Sequence, residues 1–183
     1  MFFPQPNRPS NSPRVHMNSL LMYPMGFFDG ATQKGLCVCG VWISISEQLT
    51  YSILWNGGNG TNNKAEAMAL WGLFWFSNFL NIPFLHVHGD SKIIIDHVSG
   101  KASINTPFLQ GWMKRIEILW KLLNDFTIEH IGRSQNMQAN NLSKKGICFK
   151  NLANGTWKSI GRTTPMSWRT FFFQEYRLFL GHY

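Results

Sequence analysis

Hydrophobic and polar residues change rhythm several times along this chain, and each change marks an element. Between Met25 and about Asn56 the segments GFFDGA, CVCGVWISI and TYSILW are short and rich in Val, Ile, Trp and Tyr, with the tight turn SEQ between the last two. Such runs predict three consecutive strands, and links this short make them antiparallel. NGGNGTNN reads as a loop ending in helix-capping chemistry at Thr61 to Asn63, followed by a helix from Lys64 to about Phe79. That helix is apolar nearly all round, so it is expected to lie between a sheet and other helices.

Further along, FLHVHGD predicts a short strand and SKIIIDHVSG a short helix at its end. In TPFLQGWMKRIEILWKLLN the residues Phe108, Trp112, Ile116, Trp120 and Leu123 recur at helical spacing. FTIEHIG is expected as a fifth strand, and NMQANNLSKKG as a last helix stopped by Gly146, with Lys144 and Lys145 at its negative end. This order gives an α/β domain: a five-stranded mixed sheet, its first three strands antiparallel, flanked by helices.

At 183 residues and 44% hydrophobic, the chain has material for one core. Residues 1–22, rich in Pro, Asn and Ser, read as a disordered lead-in, residues 23–147 as the domain, and residues 148–183 as a basic, aromatic extension that the pattern does not place. AMALWGLFWFSNFLNIPFL carries no charge, but Gly72, Ser77, Asn78, Asn81 and Pro83 interrupt it, which favours a buried helix over a membrane span. Three cysteines, two of them close neighbours, do not make a disulfide framework, so a reduced intracellular protein, nuclear or cytoplasmic and monomeric, is expected. Net charge is +8, and residues 131–183 hold eight basic residues against one acid. A cationic surface of this kind suits polyanions, nucleic acid foremost.

Against that basic background the few acids stand out. Asp29 ends the first predicted strand, Glu66 sits in the first turns of the first helix, and Asp90 ends the fourth strand. Singly, each has an ordinary reading: a turn residue before glycine, a complement to the helix dipole, an N-cap. In sheets of this type, however, strand ends and helix starts converge on one edge. Three carboxylates meeting there repel one another and need cations, and hard divalent ions such as Mg²⁺ accept oxygen ligands.

The segments FFDGAT, TNNKAEAMAL, VHGDSKIII and HIGRSQNMQANNLSKKG, across roughly residues 25–147, resemble in order and spacing the four motifs of type 1 ribonuclease H, especially its compact plant forms. The resemblance implies a ribonuclease H-like fold and cleavage of the RNA strand of RNA/DNA hybrids with two Mg²⁺ ions, Mn²⁺ being a substitute. It implies ions about 4 Å apart, one activating a water and one stabilising the leaving oxygen, with Asp29 bridging both, Glu66 on the leaving-group side and Asp90 on the water side. Asn140 stands where the family usually has a fourth acid, so the amide oxygen keeps a ligand but one negative charge is lost. Arg133 replaces a common histidine, to contact the scissile phosphate or to cover the site, and Asn136 matches the family's usual asparagine at the turn into the last helix. Asn62 and Asn63 match groove-contacting positions, Gly30 and Ala31 would let the backbone approach the RNA, and Ser91 joins Arg133 and Asn136 among the expected nucleic-acid contacts. The alternative is a weakened or inactive nucleic-acid-binding module derived from a retroelement.

Other residues draw plainer readings. His86 and His88 share a strand face but lack a third ligand, Asp96 is expected in solvent, and Cys37 and Cys39 are expected as small packing residues.

Overall fold

The computed structural model describes residues 23–148 and 156–160; the expected lead-in and most of the extension lie outside these. Strands β1 (Met25–Gln33), β2 (Leu36–Ser46) and β3 (Leu49–Asn59) form an antiparallel meander. Helix α1 (Asn62–Phe79) leads to β4 (Phe84–Gly89), α2 (Lys92–Val98), α3 (Pro107–Trp120), β5 (Asp125–His130), α4 (Met137–Cys148) and a strand β6 (Thr156–Ile160). The sheet order is β5-β4-β1-β2-β3-β6, with β4 parallel to both β1 and β5. The five-stranded mixed sheet expected from the pattern is present, and β6, inside the unplaced extension, pairs antiparallel with β3 at its edge.

Local chemistry explains the connections. Lys34 and Gly35 both have positive φ, 53° and 77°, which suits a two-residue hairpin between right-twisted strands. In the SEQ turn, Ser46 Oγ accepts from the backbone nitrogens of Gln48 (3.3 Å) and Leu49 (3.1 Å). Three boundaries differ from expectation. Strand β1 does not end at Asp29 but runs on to Gln33, paired with β2 throughout. Residues 56–59 belong to β3, because a bulge opposite Cys37 and Val38 absorbs the extra Gly57, and Gly58 turns at φ 69° with its N–H on Asn56 Oδ1. Helix α4 continues past Gly146 to Cys148.

The core lies between the sheet and α1 to α3. Phe28, Val41, Ile43, Ile53, Trp55, Leu85 and Val87 from the strands meet Leu70, Leu73 and Phe74 of α1 and Trp112 and Ile116 of α3. Burying each large side chain contributes about 1.5–3 kcal/mol. As its composition predicts, α1 is buried on most sides; Gly72 admits the Trp55 ring, which a Cβ there would approach to 2.2 Å. Cys37 and Cys39 are free and buried, their thiol pKa values pushed up by burial, and their sulfurs point at the carbonyl oxygens of Thr61, the residue that caps α1, and of Ala65 within it. Helix α4 crosses the opposite sheet face: a side chain at Gly40 would meet the Ala139 carbonyl at 2.6 Å and the Ser143 nitrogen at 2.7 Å. Among the described residues no helix is long and apolar enough to cross a membrane.

Candidate metal centre

Strand alternation decides where the first acid points. Asp29 pairs with Gly40, so its side chain shares the α4 face, while Gly30 turns toward α1. A Cβ on Gly30 would lie 2.1 Å from the Ala65 carbonyl carbon and the Glu66 nitrogen, so strand and helix backbones touch here. Thr61 fixes the start of α1, its hydroxyl accepting from Lys64 N at 3.3 Å. Glu66, on the next turn, takes the Gly30 N–H on Oε2 at 3.0 Å. Asp90 arrives from the parallel neighbour: Phe28 pairs with Gly89, so the residues that follow them, Asp29 and Asp90, emerge side by side. One oxygen from each of the three carboxylates falls within 4.8 Å of the others.

Asp29 and Glu66 are 2% and 3% exposed. Burial raises the pKa of Asp29; a hydrogen bond from Ser143 opposes this, and the nearby Asp90 adds to it. Glu66 is held well above the usual carboxylate range by burial first, then by the charges of Asp29 and Asp90, against the pull of the Gly30 N–H and Arg133. Asp90 is braced at both oxygens, Oδ1 by Asn136 Nδ2 (3.0 Å) and Oδ2 by Arg133 Nε (3.1 Å). The cluster thus concentrates negative charge out of water, offers oxygen donors alone, and includes no His or Cys: the donor set of a hard divalent cation.

The remaining expected residues fall as follows. Asn140 is buried on α4, one turn beyond Asn136, whose carbonyl accepts its N–H at 3.0 Å. Its own carbonyl lies 3.0 Å from the hydroxyl of Ser143, the residue that donates to Asp29. Asn62, Asn63 and Arg133 are exposed, and Ala31 and Ser91 half-buried. Gly30 is buried under α1, where its missing side chain serves helix-strand contact. Asn136 is fully buried and donates to both Phe28 O (2.8 Å) and Asp90, bracing β1 against the residue that follows β4. Asp96 forms an ion pair with Lys92 at 2.8 Å. His86 meets Thr127 Oγ1 at 2.6 Å and His88 stacks on Phe27, both apart from the acids.

Sequence reasoning missed Ser143 and His130, whose Nε2 lies 3.3 Å from the Asp90 carbonyl oxygen. Ser143 had a signal: Asn136, Asn140 and Ser143 recur at i, i+4 and i+7, a polar stripe on the buried face of α4.

A family described as reverse transcriptase-like matches residues 28–146, well over half of the chain and every element that carries the cluster. The chain belongs to that family. It lies within the ribonuclease H-like superfamily, as the relatives also show. Ribonuclease HI of Halobacterium salinarum is 26% identical over 146 residues, covering 76% of this chain and 67% of the relative. The crystal structure of RNase H1 from that archaeon matches this reverse transcriptase-like domain with a TM-score of 0.65 at 23% identity, covering 68% of this chain and 97% of the other. LC11-RNase H1, crystallised in complex with an RNA/DNA hybrid, matches with a TM-score of 0.59 at 23% identity, covering 68% and 96%.

Proposed function

We propose that this domain hydrolyses the RNA strand of RNA/DNA hybrids with two Mg²⁺ ions, Mn²⁺ serving as a substitute. The observation that carries this reading is the convergence of Asp29, Glu66 and Asp90 within 4.8 Å in a ribonuclease H-like domain. These three residues would hold the ions, with the neutral amide oxygen of Asn140 as the fourth ligand. When bound, such ions supply an activated water and stabilise the leaving oxygen of an in-line displacement. The rest falls to the protein: Asn136 and Ser143 fix the orientation of Asp90 and Asp29, and Gly30 sets the reach of Glu66. Asn62 and Asn63, exposed at the start of α1, would meet the minor groove and its 2′-hydroxyls.

A second reading has its own observation in favour: the buried Asn140 stands where a fourth carboxylate is usual, and the family description is reverse transcriptase-like, so a retroelement-derived module that binds nucleic acid without cutting it is consistent with the same site. Cleavage of an end-labelled hybrid across a magnesium series, for the natural chain and Asn140→Asp, separates the two. The hydrolytic reading expects cleavage in both, with Asn140→Asp active at lower magnesium because a charge is restored. Hybrid binding without cleavage at any magnesium level in either protein would establish the binding module.

A further inference from the structure

Asp90 differs from its two partners in the company it keeps. Both of its side-chain oxygens accept from nitrogen donors, and the two donors are unlike. Asn136 is fully buried, and the same Nδ2 also holds Phe28 O at 2.8 Å, so releasing Asp90 would break up a buried arrangement. Arg133 stands on the loop between β5 and α4 with a side chain 69% exposed, against 7% for the Asp90 side chain it contacts at 3.1 Å. Its guanidinium recovers water on leaving, so the contact is inexpensive to break.

A guanidinium and a divalent ion on the same oxygen repel each other across a few ångströms, so one displaces the other. The buried donor stays and the exposed one yields, which leaves Oδ2 as the oxygen an ion takes. We infer that Arg133 is a displaceable counter-ion: it occupies Asp90 Oδ2, relieves the repulsion among the three acids, and is exchanged for a divalent cation when the centre loads. The inference rests on the metal-dependent reading above and adds regulation to it, since Arg133 raises the metal concentration at which the centre fills. It also separates Arg133 from Lys64, the cation at the start of α1, which binds the Asn59 carbonyl and leaves the acids alone.

The test is Mn²⁺ binding to the full chain without nucleic acid, read from the electron paramagnetic resonance of free Mn²⁺, for the natural protein, Arg133→Ala and Asp90→Asn. Arg133→Ala is expected to bind Mn²⁺ about three- to tenfold more tightly, the range of one ordinary hydrogen bond given up by a largely exposed side chain. Its melting temperature should also rise more on adding Mn²⁺, from a lower starting value, because the acids have lost their resident cation. Unchanged or weaker Mn²⁺ binding in Arg133→Ala, with Asp90→Asn clearly impaired, would overturn the counter-ion assignment while leaving the metal centre intact. Equal binding by Asp90→Asn and the natural chain would instead remove the metal centre itself.

Discussion

Ser143 and Asn136 carry no charge, yet they set how the neighbouring acids behave. Ser143→Ala removes the donor that offsets the burial of Asp29, so the Asp29 pKa moves further up and more Mg²⁺ is needed for half-maximal cleavage. A stability loss of about 1–3 kcal/mol in chemical denaturation accompanies it, the usual consequence of leaving a buried acceptor unpaired. The acids themselves act in the opposite sense. Asp29 and Glu66 titrate higher folded than unfolded, so the folded chain binds protons more tightly. Their stabilising contribution is therefore full below the unfolded carboxylate range, about pH 4, and is lost as the pH rises through the raised folded values. Without divalent ions, Asp29→Asn should thus be more stable than the natural chain at neutral pH, an advantage that shrinks toward acid pH. Thermal unfolding of both proteins at several pH values checks this, and an Asp29→Asn protein that melts earlier at pH 7 would contradict it. At this scale Glu66 and Asp90 were legible in the sequence because they fall near a helix start and just past a strand end, whereas Asp29, expected to end its strand, lies within β1, which runs on to Gln33. The bracing was not legible, because a hydrogen bond between residues 29 and 143 depends on a docking that no local pattern encodes.

Gly30 shows how elements are fitted to one another. Gly30→Ala would force its new methyl group into the α1 backbone at 2.1 Å, so the helix must shift and carry Glu66 with it. The expected cost is about 1–3 kcal/mol or more of stability, together with weaker Mn²⁺ binding, whereas Gly111→Ala, in open space on helix α3, should gain about 0.5–1 kcal/mol and leave Mn²⁺ binding unchanged. Urea unfolding and metal titration of the two variants make the comparison. Strand and helix identities were readable because β-branched runs and helical spacing are local signals. Boundaries failed where tertiary structure overrode them. A Gly-Gly-Asn run ordinarily ends a strand, but pairing with β2 carries β3 through it by a bulge. A helical glycine costs about 1 kcal/mol, and α4, docked on the sheet, passes Gly146 regardless.

Seen as a whole, the domain stacks α1 and α3 on one face of the sheet and α4 on the other, and the acids lie where the pairing of β1 with β4 ends, between those layers. A mixed sheet was readable from the strand-helix-strand order, but which strand β4 would join was not; it lies parallel to β1. The edge strand β6 was not readable, because its residues sit in a basic, aromatic stretch without alternation. The excess of eight positive charges belongs to this scale too. If the domain grips a sugar-phosphate backbone, hybrid binding weakens steadily with salt, by about one logarithmic unit per tenfold salt for each phosphate contacted. Binding titrations between low and moderate salt with a hybrid of mixed sequence measure that slope. The central claim, that the carboxylate cluster holds ions for hydrolysis, is tested most directly by the initial rate of RNA-strand cleavage in a hybrid as Mg²⁺ is raised, for the natural chain beside Asp29→Asn. The account predicts a saturable rise for the natural chain and a rate lower by about a hundredfold or more for the variant. Equal rates in the two proteins would contradict it.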